Sequence, residues 1–221
     1  MGYMPELLDS LSTILLLNAD VHAQQKFKTE IRTTEAAIFL NCRIEDCQLT
    51  GEGALVSSGN NELFVEMTNF INCSSKTECG GLKKTDGKLI AKCCFFEECH
   101  AEGGDNSNPG TAMGTYNCES TVESLTFYRC WIKASPCSDS VYGFSGGTSK
   151  VMCVNSSRCI SRGGGLVGCF NSVSSGAIRC LQGVDGEEHN SLEIWYTEQT
   201  INFMNVINNT LINDFIVSRD T

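Results

Sequence analysis

The stretch CCFFEECHA, residues 93–101, sets Cys93, Cys94 and Cys99 beside His100. Thiols and an imidazole so close together suit a zinc site, a thiol nucleophile activated by histidine, or part of a disulfide scaffold. Spacing weighs against the first two. Cys94-x4-Cys99-His100, Cys73-x5-Cys79 and Cys153-x5-Cys159 supply soft ligands, but none repeats the tight C-x2-C pair of a zinc knuckle. In a strand, alternation sends Cys99 and His100 to opposite faces. The remaining histidines are His22 and His189, so a Cys–His pair has few other sources. Neither a metal nor a cofactor is expected.

Paired carboxylates would be the other route to chemistry, since glycoside hydrolysis needs two of them several ångströms apart. Glu97 and Glu98 face opposite ways within one strand. Asp185, Glu187, Glu188 and His189, in GVDGEEHN, read as a polar turn. No catalytic residue is assigned.

The elements that position these residues come from a repeat. CRIEDCQL (42–49), TNFINCSS (68–75), CFFEECHA (94–101), LTFYRCWI (125–132) and VNSSRCIS (154–161) align on Cys47, Cys73, Cys99, Cys130 and Cys159, with steps of 26, 26, 31 and 29 residues. Three residues ahead run Ile44, Phe70, Phe96, Phe127 and Ser156. CCFFEECHA is therefore one unit of five. Short alternating runs such as ELFVEM and KLIAKC, broken by Gly, Asn and Ser, indicate strands, and no unit carries a 3.6-residue apolar period. Such units suit coils of a parallel β-helix whose equivalent side chains stack about 4.8 Å apart. Interior ladders of Cys47, Cys73, Cys99, Cys130, Cys159 and of Ile44, Phe70, Phe96, Phe127 are expected. Parallel Cβ atoms at that spacing disfavour disulfides, which need about 3.5–4.5 Å and a twist. Mostly free thiols are expected, with bonds from Cys42 to Cys47 or Cys118 to Cys137 left open.

The Phe-x-x-Cys motif followed by turns such as GGL (80–82) and GGGL (163–166) resembles the Phe-x-x-Asn and Gly-Gly-Ala-Ile repeats of polymorphic outer-membrane proteins. The resemblance covers roughly residues 37–214. It implies an all-β, right-handed parallel β-helix of the pectin-lyase-like kind, and an adhesin-like surface role. The chain departs from that family in using Cys where it mostly has Asn, and shows no autotransporter-like barrel.

Six to seven rungs are expected over residues 35–214, after an N-terminal cap at 1–34 and before a tail at 215–221. Within the cap, Leu7, Leu8, Leu11, Ile14 and Leu15 have helical spacing behind Pro5, which suits a helix over the open end of the coil. The excess length of the third and fourth units falls at 102–121 and 134–149, expected to be surface loops with Tyr116, Tyr142 and Phe144 as binding anchors. Lys76, Lys83, Lys84, Lys88 and Lys92 read first as an ordinary solvated surface, with a basic interaction face as the lesser alternative.

A net charge of −10 repels nucleic acid and anionic membranes, and no run approaches the ~20 apolar residues of a membrane helix. No basic residue precedes the apolar stretch Ile14–Leu17, a poor signal peptide that favours an intracellular site. Sequons at Asn72, Asn155 and Asn208 point toward the cell surface or secretion. The expected function is a non-catalytic structural or interaction module presenting a β-solenoid surface to a protein partner in a larger assembly, in part through its uncapped C-terminal end. The alternatives are a surface adhesin or glycan-binding fragment of a secreted repeat protein, and a carbohydrate-active enzyme.

Overall fold

The computed structural model describes residues 19–160 apart from 78, 103–109 and 133–139; residues 110, 132 and 140 and the strands between 167 and 219 are described by their backbone alone. Among the described residues every regular element is a strand, and every pairing between coils is parallel. This is a parallel β-solenoid.

Each coil has four faces. The first stacks Asp20–Ala23, Ala37–Leu40, Glu62–Glu66 and Lys88–Lys92. The second stacks Lys26–Phe27, Arg43–Glu45, Asn69–Ile71, Phe95–Glu97 and Thr126–Tyr128. The third stacks the two-residue strands Gln48–Leu49, Ser74–Ser75, His100–Ala101 and Trp131–Ile132. The fourth stacks Ile31–Thr33, Leu55–Ser58 and Leu82–Thr85.

Corners are set by backbone conformation. Gln24, Asn41, Met67, Cys93, Ser124 and Cys153 turn from the first face to the second, and Asp46, Asn72, Glu98, Arg129 and Arg158 from the second to the third, all with φ between 49° and 57°. These are left-handed residues that are not glycine, each costing roughly 1–2 kcal/mol. What holds them is the neighbouring coil: the Asn72 N–H donates to Glu97 O at 2.8 Å, Glu98 to Tyr128 O at 2.9 Å and Arg129 to Ser157 O at 3.0 Å. The hydrogen-bond ladder thus runs unbroken through the bend. At the corner between the fourth and first faces, Gly87 has φ 71°, and a Cβ there would run into the Asn61 backbone.

Alternation divides each strand between bore and surface. Ala37, Leu63, Leu89, Ser120 and Ser149 form one inward column, and Phe39, Val65, Ala91, Val122 and Val151 another. Where the first column turns polar, Ser120 and Ser149 hydroxyls meet at 2.6 Å and Tyr142 OH joins Ser149 at 3.2 Å. Outward columns alternate in charge: Lys88 sits in register between Glu62 and Glu119, and Lys92 between Glu66 and Glu123. Opposite charges directly across strands are favourable.

Several expectations need correction. The fully described part makes about four turns rather than six to seven; beyond it, strands from Val167–Phe170 to Ile216–Arg219 continue the parallel pairing as backbone. Strands begin at Asp20 and pair Ala37–Leu40, so stacking starts inside the 1–34 segment; the helix expected before it lies outside the described residues. The lengthened units do not form loops throughout. Gly110–Glu123 is a long strand that carries two faces, and Ser140–Ser157 one that carries three. The basic face does not form either. Lys84 is fully buried, and its ammonium donates to Asn61 Oδ1 at 2.8 Å and Gly59 O at 3.0 Å. Lys83 pairs with Glu52 at 2.7 Å. Among the described residues, no helix is long and apolar enough to cross a membrane.

Candidate functional site

The second and third faces place the residues with chemical potential. Ile44, Phe70, Phe96 and Phe127 are in register and fully buried. Phe96 stacks on Phe70 at 4.6 Å with 2° between the rings, and on Phe127 at 4.9 Å with 23°. Cys47, Cys73, Cys99, Cys130 and Cys159 lie beside them, all buried. The thiols of Cys73, Cys99 and Cys130 each sit near two carbonyls, one two residues back and one on the coil below, and those of Cys47 and Cys159 near the one two residues back. Cys73 Sγ is 3.4 Å from Ile71 O and 3.5 Å from Ile44 O, and Cys99 Sγ is 3.4 Å from Phe70 O. Cys42, Thr68 and Cys94 repeat the same geometry five residues earlier: Thr68 Oγ1 lies 3.1 Å from Glu66 O, and Cys94 Sγ 3.2 Å from Lys92 O. A small side chain with one donor is what both columns share.

Most of these thiols are poor nucleophiles because they are buried. Burial pushes Cys99, Cys130 and Cys159 well above the ordinary thiol value, and Cys94 and Cys118 up to about 12. Cys47 and Cys73 titrate as a pair. A thiolate at Cys73 would accept from the Cys47 and Cys99 thiols, so Cys73 is held low and Cys47 high. Cys42, Cys47, Cys73, Cys94, Cys99, Cys118 and Cys130 are free thiols, and Cys93 is a free thiol at an exposed corner. Among the described residues no group of three or more His, Cys, Asp or Glu is arranged to hold a metal ion. Glu98 is exposed and faces Arg129 at 3.5 Å. Asp185, Glu187, Glu188 and His189 lie outside the residues described with side chains.

Tyr142 and Phe144, taken from the sequence as anchors of a binding loop, are interior. Tyr142 extends the inward column Leu55, Leu82, Met113, and its ring lies 6.5 Å from Phe127. Tyr116 is half-buried with the Lys83 ammonium 5.0 Å from its ring centre. The three are not a common surface.

A surface the sequence reading passed over lies on the third face. The residue after each column cysteine points outward, giving Gln48, Ser74, His100, Trp131 and Ile160 in register. The cysteine backbones hold it flat: Ser74, His100 and Ile160 N–H groups donate to Cys47, Cys73 and Cys130 carbonyls at 2.8, 3.0 and 2.9 Å. His100 and Trp131 rings stack at 4.1 Å and 9°, and Ile160, 36% exposed, follows one coil on. His100 Nδ1 lies 3.3 Å from Glu98 O, which suits an Nδ1–H donor and fixes the ring plane. Three coils at about 4.8 Å give an apolar strip roughly 10 Å long. A strip of stacked flat rings can accept an apolar side chain or the face of a sugar ring. The signal that could have found it is the position itself, one past the cysteine.

The chain matches no family model and no curated protein. A solved structure similar to it is that of full-length QnrB1, a plasmid-mediated fluoroquinolone resistance protein, with 12% sequence identity over 90% of this chain and 93% of that chain. The TM-score is 0.23, so the architecture of this chain rests on its own strand pairing: it is a parallel β-solenoid with a thiol- and phenyl-filled bore.

Proposed function

We propose that the chain is a non-catalytic interaction module that presents its third face to a protein partner, with Trp131, His100 and Ile160 as the docking strip. The observation that carries this reading is the His100–Trp131 stack, two rings from adjacent coils held side by side and parallel on the outer surface of the third face. Interface hot spots favour Trp on a rigid support, and a parallel sheet braced by coils on either side is rigid. Within this reading the coils are kin to the repeats of polymorphic outer-membrane proteins.

The test is affinity capture with the full chain, its Trp131→Ser variant and a control, Lys150→Ala, on the first face. A partner retained by the control and lost by Trp131→Ser supports the proposal. Capture unchanged by Trp131→Ser, or lost equally by both, sinks it. The same stack favours one second reading, a glycan-binding fragment, because paired rings suit sugar faces; a glycan array on the same three proteins separates the two.

A further inference from the structure

Lys84 and Asn61 meet at the corner between the fourth and first faces. Lys84 stands in register with Ser57 of the preceding coil, and Asn61 follows Ser57 by four residues, past the Gly59 turn at φ 92°. The Lys84 side chain is fully buried, and the oxygens it reaches are neutral: Asn61 Oδ1 at 2.8 Å, Gly59 O at 3.0 Å and Thr85 O at 3.3 Å. A buried amine among neutral oxygens is driven toward its uncharged, nucleophilic form, and burial lowers its affinity for a proton. The Asn61 carboxamide is polarised and held still. Ser57, also fully buried, donates its hydroxyl to Oδ1 at 3.1 Å, while Nδ2 donates to Ser58 O at 2.8 Å. Two donors at one end and a carbonyl at the other fix which end is oxygen. The Asn61 backbone is pinned as well, its N–H donating to Gly59 O at 2.8 Å and its carbonyl accepting from Lys88 N–H at 2.9 Å.

We propose that Lys84 and Asn61 are the reactants of an intramolecular isopeptide bond that ties two adjacent coils together. Nζ is 2.8 Å from Oδ1, and the C=O bond adds about 1.2 Å, so Nζ lies no more than about 4 Å from Cγ. A small side-chain rotation brings it to the ~3–3.5 Å of a near-attack geometry. The neutral amine attacks Cγ and the Nζ–Cγ bond forms. The negative charge that develops on Oδ1 is met by the Ser57 hydroxyl, which already points at that oxygen. One proton passes from Nζ to Nδ2, the Cγ–Nδ2 bond breaks, and ammonia leaves on the exposed side of Asn61. Nothing is oxidised or reduced, and no co-reactant is consumed. The new amide keeps one N–H on Nζ, and the Gly59 carbonyl stands ready to accept it.

The test is the intact mass of the purified full chain, denatured and reduced. The expected result is a deficit of one ammonia, about 17 Da, against the mass of the sequence, with a branched tryptic peptide joining Asn61 to an uncleaved Lys84. A chain at its full sequence mass would overturn the proposal. Lys84→Met separates this bond from a succinimide at an asparagine, which loses the same ammonia. The deficit must vanish in Lys84→Met, and its persistence there would refute the assignment. Ser57→Ala leaves both reactants in place. It should slow bond formation at least several-fold, read as a mixture of the two masses in freshly made protein, and an unchanged rate would refute the geometry on which the step is built.

Discussion

Replacing Phe96 by alanine removes the middle ring of a three-ring stack inside the bore. Phe96 is fully buried and contacts Phe70 at 4.6 Å and Phe127 at 4.9 Å. Truncating a buried Phe costs about 3–5 kcal/mol through lost transfer and the cavity left behind. Two ring contacts, each worth about 0.5–1.5 kcal/mol beyond area, put Phe96 at the upper end, near 5 kcal/mol. Phe27 is the internal comparison. It is half-buried at the start of the stack, with edge contacts to His22 at 5.5 Å and Phe39 at 6.1 Å, so Phe27→Ala should cost about 2 kcal/mol or less. Urea unfolding followed by circular dichroism measures both, and a Phe70→Ala/Phe96→Ala cycle should show about 1 kcal/mol of coupling. A Phe96→Ala loss below about 2 kcal/mol, or equal to that of Phe27→Ala, would mean the phenyl column does not hold the coils together.

Iodoacetamide on the native chain should modify exposed Cys93 within minutes, while Cys47, Cys73, Cys99, Cys130 and Cys159 react only after denaturation, as read by peptide mass spectrometry; early labelling of the column would contradict a closed bore. The Glu45 carboxyl, hydrogen-bonded by Lys26 and Arg43, is held at about 2 against an ordinary 4.5. Its folded value is depressed, so its contribution is present above 4.5 and fades as pH falls toward 2. The urea midpoint of the native chain should therefore drop more steeply across that window than that of Glu45→Gln, and parallel curves would remove Glu45 from the account. At the corner residue Met67, exposed with φ 49°, glycine should leave stability within about 0.5 kcal/mol or raise it, whereas Met67→Ile should cost about 1 kcal/mol or more.

The coil period was legible because the Phe-x-x-Cys spacing recurs with ring and thiol three residues apart, and no helical period competes with it. Four things were not legible, each for a physical reason. The coil from Asp20 to Thr33 has no cysteine at the column position, so nothing marked it as a repeat. Tyr142 and Phe144 sit in a Gly- and Ser-rich run with no landmark to set their parity, and an inward strand there looks like a loop. Lys84 reads as surface because ammonium groups rarely enter cores; it is tolerated because Asn61 and Gly59 oxygens complete its hydrogen bonds, although burial lowers its affinity for a proton. The corner residues share a conformation without sharing a side-chain type, from Asn41 and Met67 to Cys93 and Ser124. Geometry imposed by the next coil leaves little trace in composition.

The outward Glu–Lys–Glu columns constrain how such a chain can grow. Copying the coil of Lys88 and Lys92 alone would set ammonium against ammonium at two positions in every new pair of coils. Copying the coil of Glu62 and Glu66 alone would do the same with carboxylates. Duplicating the two coils together restores opposite neighbours throughout. Lengthening by tandem duplication is therefore expected to proceed in pairs of coils, or to be followed by a sign-changing substitution in one of the copies.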